Sequence, residues 1–201
     1  MINAKIRDGW DRLMRPVGRA LARTPLSPNT ITVLGVGLQA VVTWQIVTGH
    51  ILLAGLLGIV SGFADAFDGA VAKAKGLTSK FGAFLDSTTD RLADGMIFGA
   101  VAWLYGVDPD VAARDEPWVA ALALATLVVS FLVSYVKSRA EALGFDCNVG
   151  LVERGERLVL INAGLILDIV PPILVVLFVL SLVTFFQRVW HVRGQAEPSA
   201  G

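Results

Sequence analysis

With one cysteine, Cys147, the chain can form no internal disulfide and no four-thiolate metal site. Histidine is almost as scarce: His50 and His191 both fall at the edges of apolar runs, with no ligand constellation around either. Charged residues make up 17% of the 201 residues against 55% hydrophobic, and the mean hydropathy is +0.66. A soluble domain of this length needs far more polar surface to cover its core. No cleavable signal is expected, because the first apolar run begins after a long charged segment. What remains is an all-α, polytopic membrane protein. Several of its apolar stretches approach or exceed the roughly 18 residues that span a bilayer.

The formal net charge is zero, but the charge is unevenly placed. Lys and Arg cluster at the N-terminus (Lys5, Arg7, Arg12, Arg15, Arg19, Arg23), around Lys73 to Lys80, from Lys137 to Arg157, and at Arg188 and Arg193. Residues 1–24 place Ile6, Trp10, Leu13, Met14, Val17 and Leu21 at helical spacing, which predicts a basic amphipathic helix lying on the membrane surface. Pro25 to Asn29 breaks the chain. Six spans follow within a membrane domain of residues 25–193: about Thr30 to Thr48, Ile51 to Ala74, Phe81 to Tyr105, Pro117 to Ala142, Arg157 to Val170, and Ile173 to Trp190. Pro171-Pro172 is taken to separate the last two. Residues 194–201 read as a disordered tail. Six spans put both termini on one side, where 16 of the 17 Lys and Arg residues then lie. The positive-inside rule makes that side cytoplasmic, in a cell membrane. Asp108, Asp110, Asp115 and Glu116 fall on the other face, and Trp103, Trp118 and Trp190 suit interfacial anchors.

The chemistry is concentrated between the second and third spans. Asp65 and Asp68 are three residues apart, and Asp86 and Asp90 four apart, so each pair shares a helix face. A short turn, Lys75 to Ser79, is expected to fold the two helices into a hairpin that lets all four carboxylates converge at the cytoplasmic face. Each intramembrane carboxylate costs roughly 2.5–3.5 kcal/mol on insertion scales, and four together repel, so a cation must hold them. A cluster of oxygen ligands suits Mg²⁺ or Mn²⁺. Two such ions about 4 Å apart would clamp a diphosphate for in-line displacement. Gly69, Ala72 and Gly82 leave the helix surfaces bare, which admits a bulky nucleotide or close helix packing.

The run Asp-x2-Asp-Gly-x2-Ala-Lys-x8-Gly-x3-Asp-x3-Asp, from Asp65 to Asp90, resembles the signature of the CDP-alcohol phosphotransferases. The family pattern has Arg where this chain has Lys73, which keeps the charge but loses the bidentate fork. The six-helix layout and Pro28-Asn29-x-Ile31-Thr32 ahead of the first span are also similar. The resemblance implies that Asp65, Asp68 and Asp86 bind metal, as two ions, and that Asp90 ligates metal or takes the acceptor's proton. Asn29, Thr32, Asp68, Gly69, Ala72, Lys73 and Gly82 would contact CDP-diacylglycerol. The implied reaction moves a phosphatidyl group from CDP-diacylglycerol to an alcohol and releases CMP, within a homodimer in contact with membrane lipids and with no nucleic-acid partner.

The alcohol is suggested by a second polar stretch. Ser134, Lys137, Arg154 and Arg157 sit where the chain leaves and re-enters the membrane, and three cations beside a serine suit an anion. The Tyr135-x-Lys137-x-Arg139-Ala140-Glu141 run and the Glu153-Arg154-x-Glu156-Arg157 run are similar to those of actinobacterial phosphatidylinositol-phosphate synthases, as is the segment through Arg188. That resemblance implies inositol 1-phosphate as acceptor, its phosphate against Ser134, Lys137, Arg154, Arg157 and Arg188. Glycerol 3-phosphate, also anionic, is the alternative. Arg139 is expected to pair with Glu141 or Glu153. Asp94 extends the Asp86/Asp90 face by a turn, and Arg91 reads equally as a counter-ion; both stay outside the candidate set. A cation transporter or channel would carry acids on toward the far face and show repeated halves; neither is found.

Overall fold

The computed structural model describes Pro16, Thr24, Pro25 and residues 27–112 and 116–196, without the side chains of residues 64–66, 68, 110 and 112. The surface helix expected over residues 1–24 therefore lies outside the described residues, apart from those two positions. The described chain is helical, in the order α1 (Pro28–Val47), α2 (Ile51–Lys75), α3 (Lys80–Val107), α4 (Pro109–Ala112), α5 (Pro117–Ala142), α6 (Arg154–Ile166) and α7 (Val170–Ala196). The brief α4 is an addition to the six expected helices.

Local chemistry sets the boundaries. Ser27 caps α1, its Oγ accepting from Thr30 N at 3.1 Å, and Pro28 takes a first-turn position where no N–H is needed. α2 stops at Gly76, whose φ of 64° is left-handed; Leu77 N–H closes the cap on Ala72 O at 3.0 Å. Ser79 then caps α3, accepting from Gly82 N at 2.9 Å. A capping box of Glu153 and Glu156 starts α6.

The last boundary differs from expectation. Pro171 and Pro172 do not divide the final two helices but lie in the first turn of α7. There their missing N–H groups cost nothing and their fixed φ suits the helix. The break comes earlier, at residues 167–169, where Asp168 has φ 53°. As a result α6 has only 13 residues, about 20 Å at 1.5 Å per residue, against a hydrocarbon core of about 30 Å. α1, α5 and α7 are long and apolar enough to cross a membrane, and α2 carries a shorter apolar part, Ile51–Phe63. α7 is helical as far as Ala196, into the stretch expected as a tail. Gln195 explains the extension: its amide donates to Asp146 O at 2.6 Å and accepts from Asp146 N at 3.0 Å.

The six longer helices close a ring: α1 packs on α2 and α3, α3 on α5, α5 on α7, α7 on α6, and α6 on α2. α2 and α3, consecutive in the chain, pack chiefly on α1 rather than on each other. The expected tight hairpin is thus opened, because separate caps at Gly76 and Ser79 leave each helix free to follow α1. Where α2 meets α6, Gly55 and Gly58 let the backbones approach; a Cβ at Gly58 would coincide with the Asn162 amide.

The ring has two unlike halves. Apolar packing of Ile46, Phe98, Leu104, Val119, Leu165 and Leu174 fills the half that contains the α1–α2 and α6–α7 turns. Lipid is as apolar as these side chains, so close contact rather than water exclusion holds that half together. The outer faces present Leu34, Trp44, Leu56, Val128 and Phe186 to the surroundings, as lipid contact requires. The other half gathers the start of α1, α3 and α6 with the end of α2, α5 and α7, and carries the polar residues.

Candidate functional site

At the polar end, α2 and α3 present the acidic motif. Asp65 and Asp68 stand on α2, but their side chains lie outside the described residues. On α3, Asp86 is exposed and Asp90, one turn on, is half-buried. Gly69 is exposed, and a Cβ added there meets nothing within 4 Å. Ala72 is half-buried and Lys73 exposed. Across from them, a Cβ on Gly82 would stand 3.6 Å from Oδ1 of Asn29 and 3.1 Å from Ser79 Oγ. Two of the residues expected along the nucleotide, Asn29 and Gly82, are thus neighbours although they belong to different helices. Thr32 is buried and its hydroxyl donates to Pro28 O at 3.2 Å, inside α1. The donor set of the motif is entirely carboxylate oxygen, which fits a hard divalent cation.

Two arginines of α6 reach these acids across the ring. Arg154 Nη1 lies 2.8 Å from Asp90 Oδ1, and its Nε lies 3.6 Å from Asp94 Oδ1. Arg157 Nη2 donates to Asp94 Oδ2 at 2.8 Å. Asp94 is 3% exposed and Arg157 2%, so this pair is shut off from water. Arg91 adds a looser contact, 3.8 Å from Asp90 Oδ2, and also donates to Ser87 O at 2.7 Å. The helical repeat explains the arrangement: Asp90 and Asp94 are one turn apart on α3, and Arg154 and Arg157 nearly one turn apart on α6. Carboxylates and guanidinium groups therefore alternate, with Arg154 between the two acids.

The remaining basic candidates are placed differently. Arg188 is buried, and its fork is committed: Nε donates to Val149 O at 2.8 Å, Nη1 to Val133 O at 2.8 Å, and Nη2 lies 3.5 Å from Glu153 Oε1. Its contacts fasten the loop of residues 143–153 to α5 and α7. Thr184 helps, its Oγ1 accepting from Leu151 N at 3.1 Å and Val152 N at 3.2 Å. Gly150, at φ 140°, allows this close approach, since a Cβ there would stand 2.6 Å from Thr184 Cγ2. Cys147, in the same loop, is buried; burial pushes its thiol above the ordinary value, with Arg188 acting in the opposite sense. Lys137, not Arg139, is placed at the glutamates, 4.0 Å from Glu141 Oε1 and 3.9 Å from Glu153 Oε1. Ser134 is half-buried on α5.

The structure thus joins Asp90, Arg154 and Arg157 in one cluster, and sets Arg188 and Lys137 around Glu153 beside it. The member that sequence reasoning left out is Asp94. Its spacing from Asp90 was visible, but nothing in the sequence says that two cations from α6 will meet it.

Comparison with known proteins places this geometry. The sequence profile described as CDP-alcohol phosphatidyltransferase matches residues 25–190. An archaetidylinositol phosphate synthase of Pyrococcus horikoshii is 34% identical over 195 residues, covering 96% of this chain and 98% of that protein. A phosphatidylinositol phosphate synthase of Corynebacterium glutamicum is 40% identical over 157 residues, covering 76% of this chain and 68% of that protein. Among solved structures, the phosphatidylinositol phosphate synthase of Mycobacterium tuberculosis with CDP-DAG bound superposes with a TM-score of 0.80 at 30% identity, covering 94% of this chain and 96% of that one. The same enzyme in complex with manganese and citrate also gives a TM-score of 0.80 at 30% identity, covering 93% of this chain and 91% of that one.

Proposed function

The chain belongs to the CDP-alcohol phosphatidyltransferase family, and on that premise we propose that it transfers the phosphatidyl group of CDP-diacylglycerol to inositol 1-phosphate. The products are phosphatidylinositol phosphate and CMP. The observation that carries this reading is the 2.8 Å contact between Arg154 and Asp90. It brings the acidic motif and the basic stretch, far apart in sequence, into one site.

In this reading the acceptor's phosphate lies against Arg154, with the buried Arg157 behind it and Lys137 and Ser134 nearby, while Arg188 holds the loop that walls the pocket. A guanidinium offers two parallel donors to a phosphate, which fixes the acceptor's orientation as well as its affinity. Asp90, adjoining Arg154, takes the proton of the acceptor hydroxyl as its oxygen bonds to the β-phosphorus. The bond from that phosphorus to the CMP oxygen breaks, and CMP leaves. Gly69, with open space where a side chain would be, lets the nucleotide approach the α2 backbone, and Asn29, Thr32, Ala72, Lys73 and Gly82 line the same side. A divalent metal on Asp65, Asp68, Asp86 and Asp90 supplies Lewis-acid stabilisation of charge on the phosphates. Mg²⁺ or Mn²⁺ fits these ligands, and two ions suit four carboxylates.

The protein is a membrane protein by its apolar helices and its family. We place all six ring helices in the bilayer, with both termini and the polar end cytoplasmic, because Lys and Arg gather there. The short α6 then reaches only partway across, with the 143–153 loop at the membrane surface. The exposed apolar helix faces are compatible with a homodimer. Inositol 1-phosphate is favoured over glycerol 3-phosphate by the names of the relatives above. The test is mass spectrometry of the lipid formed from CDP-diacylglycerol and inositol 1-phosphate. A phosphatidylinositol phosphate ion supports the reading; unchanged CDP-diacylglycerol from folded protein with metal present refutes it.

A further inference from the structure

Asp94 has no part in the reaction as written, yet its placement is costly. It is 3% exposed, on α3, a helix that crosses the membrane domain. A buried carboxylate is retained only when its charge is matched by cations or hydrogen bonds. Here one oxygen accepts from Arg157 Nη2 at 2.8 Å and the other stands 3.6 Å from Arg154 Nε. α3 and α6 are not among the principal packing pairs of the ring, so side chains rather than backbone contact join them across its interior.

The two arginines are held unequally. Arg157 is 2% exposed and is bound by Asp94 end-on, through one Nη, while its Nε is buried with no hydrogen-bond partner among the described residues. Arg154 is more open, its side chain 20% exposed, and it faces Asp90 through Nη1 and Asp94 through Nε. Without the charge on Asp94, Arg157 would be a buried cation lacking its short-range partner, and Arg154 would lose the acid that faces its Nε. A long, flexible arginine then has less to fix its guanidinium plane.

We propose that Asp94 is a positioning residue for the acceptor: its carboxylate fixes the buried Arg157 and sets the plane of Arg154, so that Arg154 presents its donors to the acceptor's phosphate. This inference rests on the acceptor pocket proposed above. It adds that pocket affinity depends on a carboxylate that touches neither substrate. An anion beside an anion pocket weakens the phosphate's attraction by direct repulsion, a cost that its hold on the two arginines offsets.

The test compares wild type, Asp94→Asn and Asp94→Glu as full-length protein in detergent, with CMP release measured against each substrate in turn. Asp94→Asn is expected to raise the acceptor KM about tenfold or more, as loss of a supporting partner does at other built sites, and to leave the CDP-diacylglycerol KM within about twofold. Asp94→Glu keeps the charge one methylene further out and should raise the acceptor KM by less. A purely structural Asp94 predicts a lower melting temperature with the ratio of the two KM values unchanged, and that result overturns the inference. If Asp94→Asn does not fold, Asp94→Glu decides alone: an acceptor-selective rise supports positioning, and an unchanged acceptor KM overturns it. Wild-type protein that used no phosphorylated alcohol would overturn the function reading and this inference together, whereas active wild type with an indifferent Asp94 overturns only the latter.

Discussion

Arg154 extends from the first turn of α6 across the helix ring to place Nη1 2.8 Å from Oδ1 of Asp90 on α3. A cation suited to phosphate therefore touches the acid assigned to the acceptor hydroxyl, and the two ends of one small acceptor molecule can be served at once. Replacing Arg154 with Ala should raise the acceptor KM by roughly 10- to 100-fold, the loss of a charge-assisted hydrogen bond worth about 1.5–3 kcal/mol. The CDP-diacylglycerol KM should change far less. Steady-state CMP release with each substrate varied separately checks this, and an equal loss for both would make Arg154 structural.

Asp90→Asn keeps the size of the side chain and removes its capacity to take a proton. Turnover should fall by about 10²–10⁴-fold, while the melting temperature stays near wild type and CDP-diacylglycerol still binds. Full activity in this variant would remove Asp90 from the mechanism.

Gly58 and Gly69 lie on the same helix and should respond in opposite ways. A Cβ at Gly58 would occupy the space of the Asn162 amide, so Gly58→Ala should destabilise the fold by about 1–3 kcal/mol, read as a lower melting temperature in detergent. A Cβ at Gly69 meets nothing within 4 Å, so Gly69→Ala should fold normally. Its cost should appear as a raised CDP-diacylglycerol KM, from a methyl group where the nucleotide approaches.

Cys147, within the 143–153 loop, is fully buried, and burial raises its pKa. Maleimide labelling of folded protein at pH 8 should be roughly tenfold or more slower than that of a free thiol, because reaction needs both opening and ionisation. Arg188→Ala, which removes the clasp on Val149 and Val133, should speed it. The sign with pH follows from linkage. A folded pKa above the unfolded one contributes stability that is fully present below the unfolded value and lost as pH rises through the folded one. Alkaline melting should therefore be milder in Cys147→Ala.

Much of this was legible in the sequence because each signal was local. The apolar runs, the break at Pro25 to Asn29 and the turn at Lys75 to Ser79 fix most helix ends to within a few residues. The Asp65-to-Asp90 spacing is a property of two helices and one turn. What was not legible depends on contacts between distant segments. That α1 would part α2 from α3 requires knowing the ring order. That Arg188, expected at the acceptor's phosphate, also donates to the carbonyls of Val133 and Val149 depends on a loop and a helix far from it in sequence. The Pro171-Pro172 pair was misplaced for a simpler reason: two prolines mark a helix boundary, but they fit just inside a helix start as well as between helices.

The most direct test of the central claim is CMP release by purified protein from CDP-diacylglycerol, with Mg²⁺ or Mn²⁺ and, separately, inositol 1-phosphate, glycerol 3-phosphate, serine or free inositol. The account predicts turnover with inositol 1-phosphate, abolished by chelation and restored by added metal, and little with the other three. Turnover with glycerol 3-phosphate and none with inositol 1-phosphate would contradict the acceptor assignment while leaving the acidic motif in place. Silence with all four, from protein shown to be folded, would contradict the reaction itself.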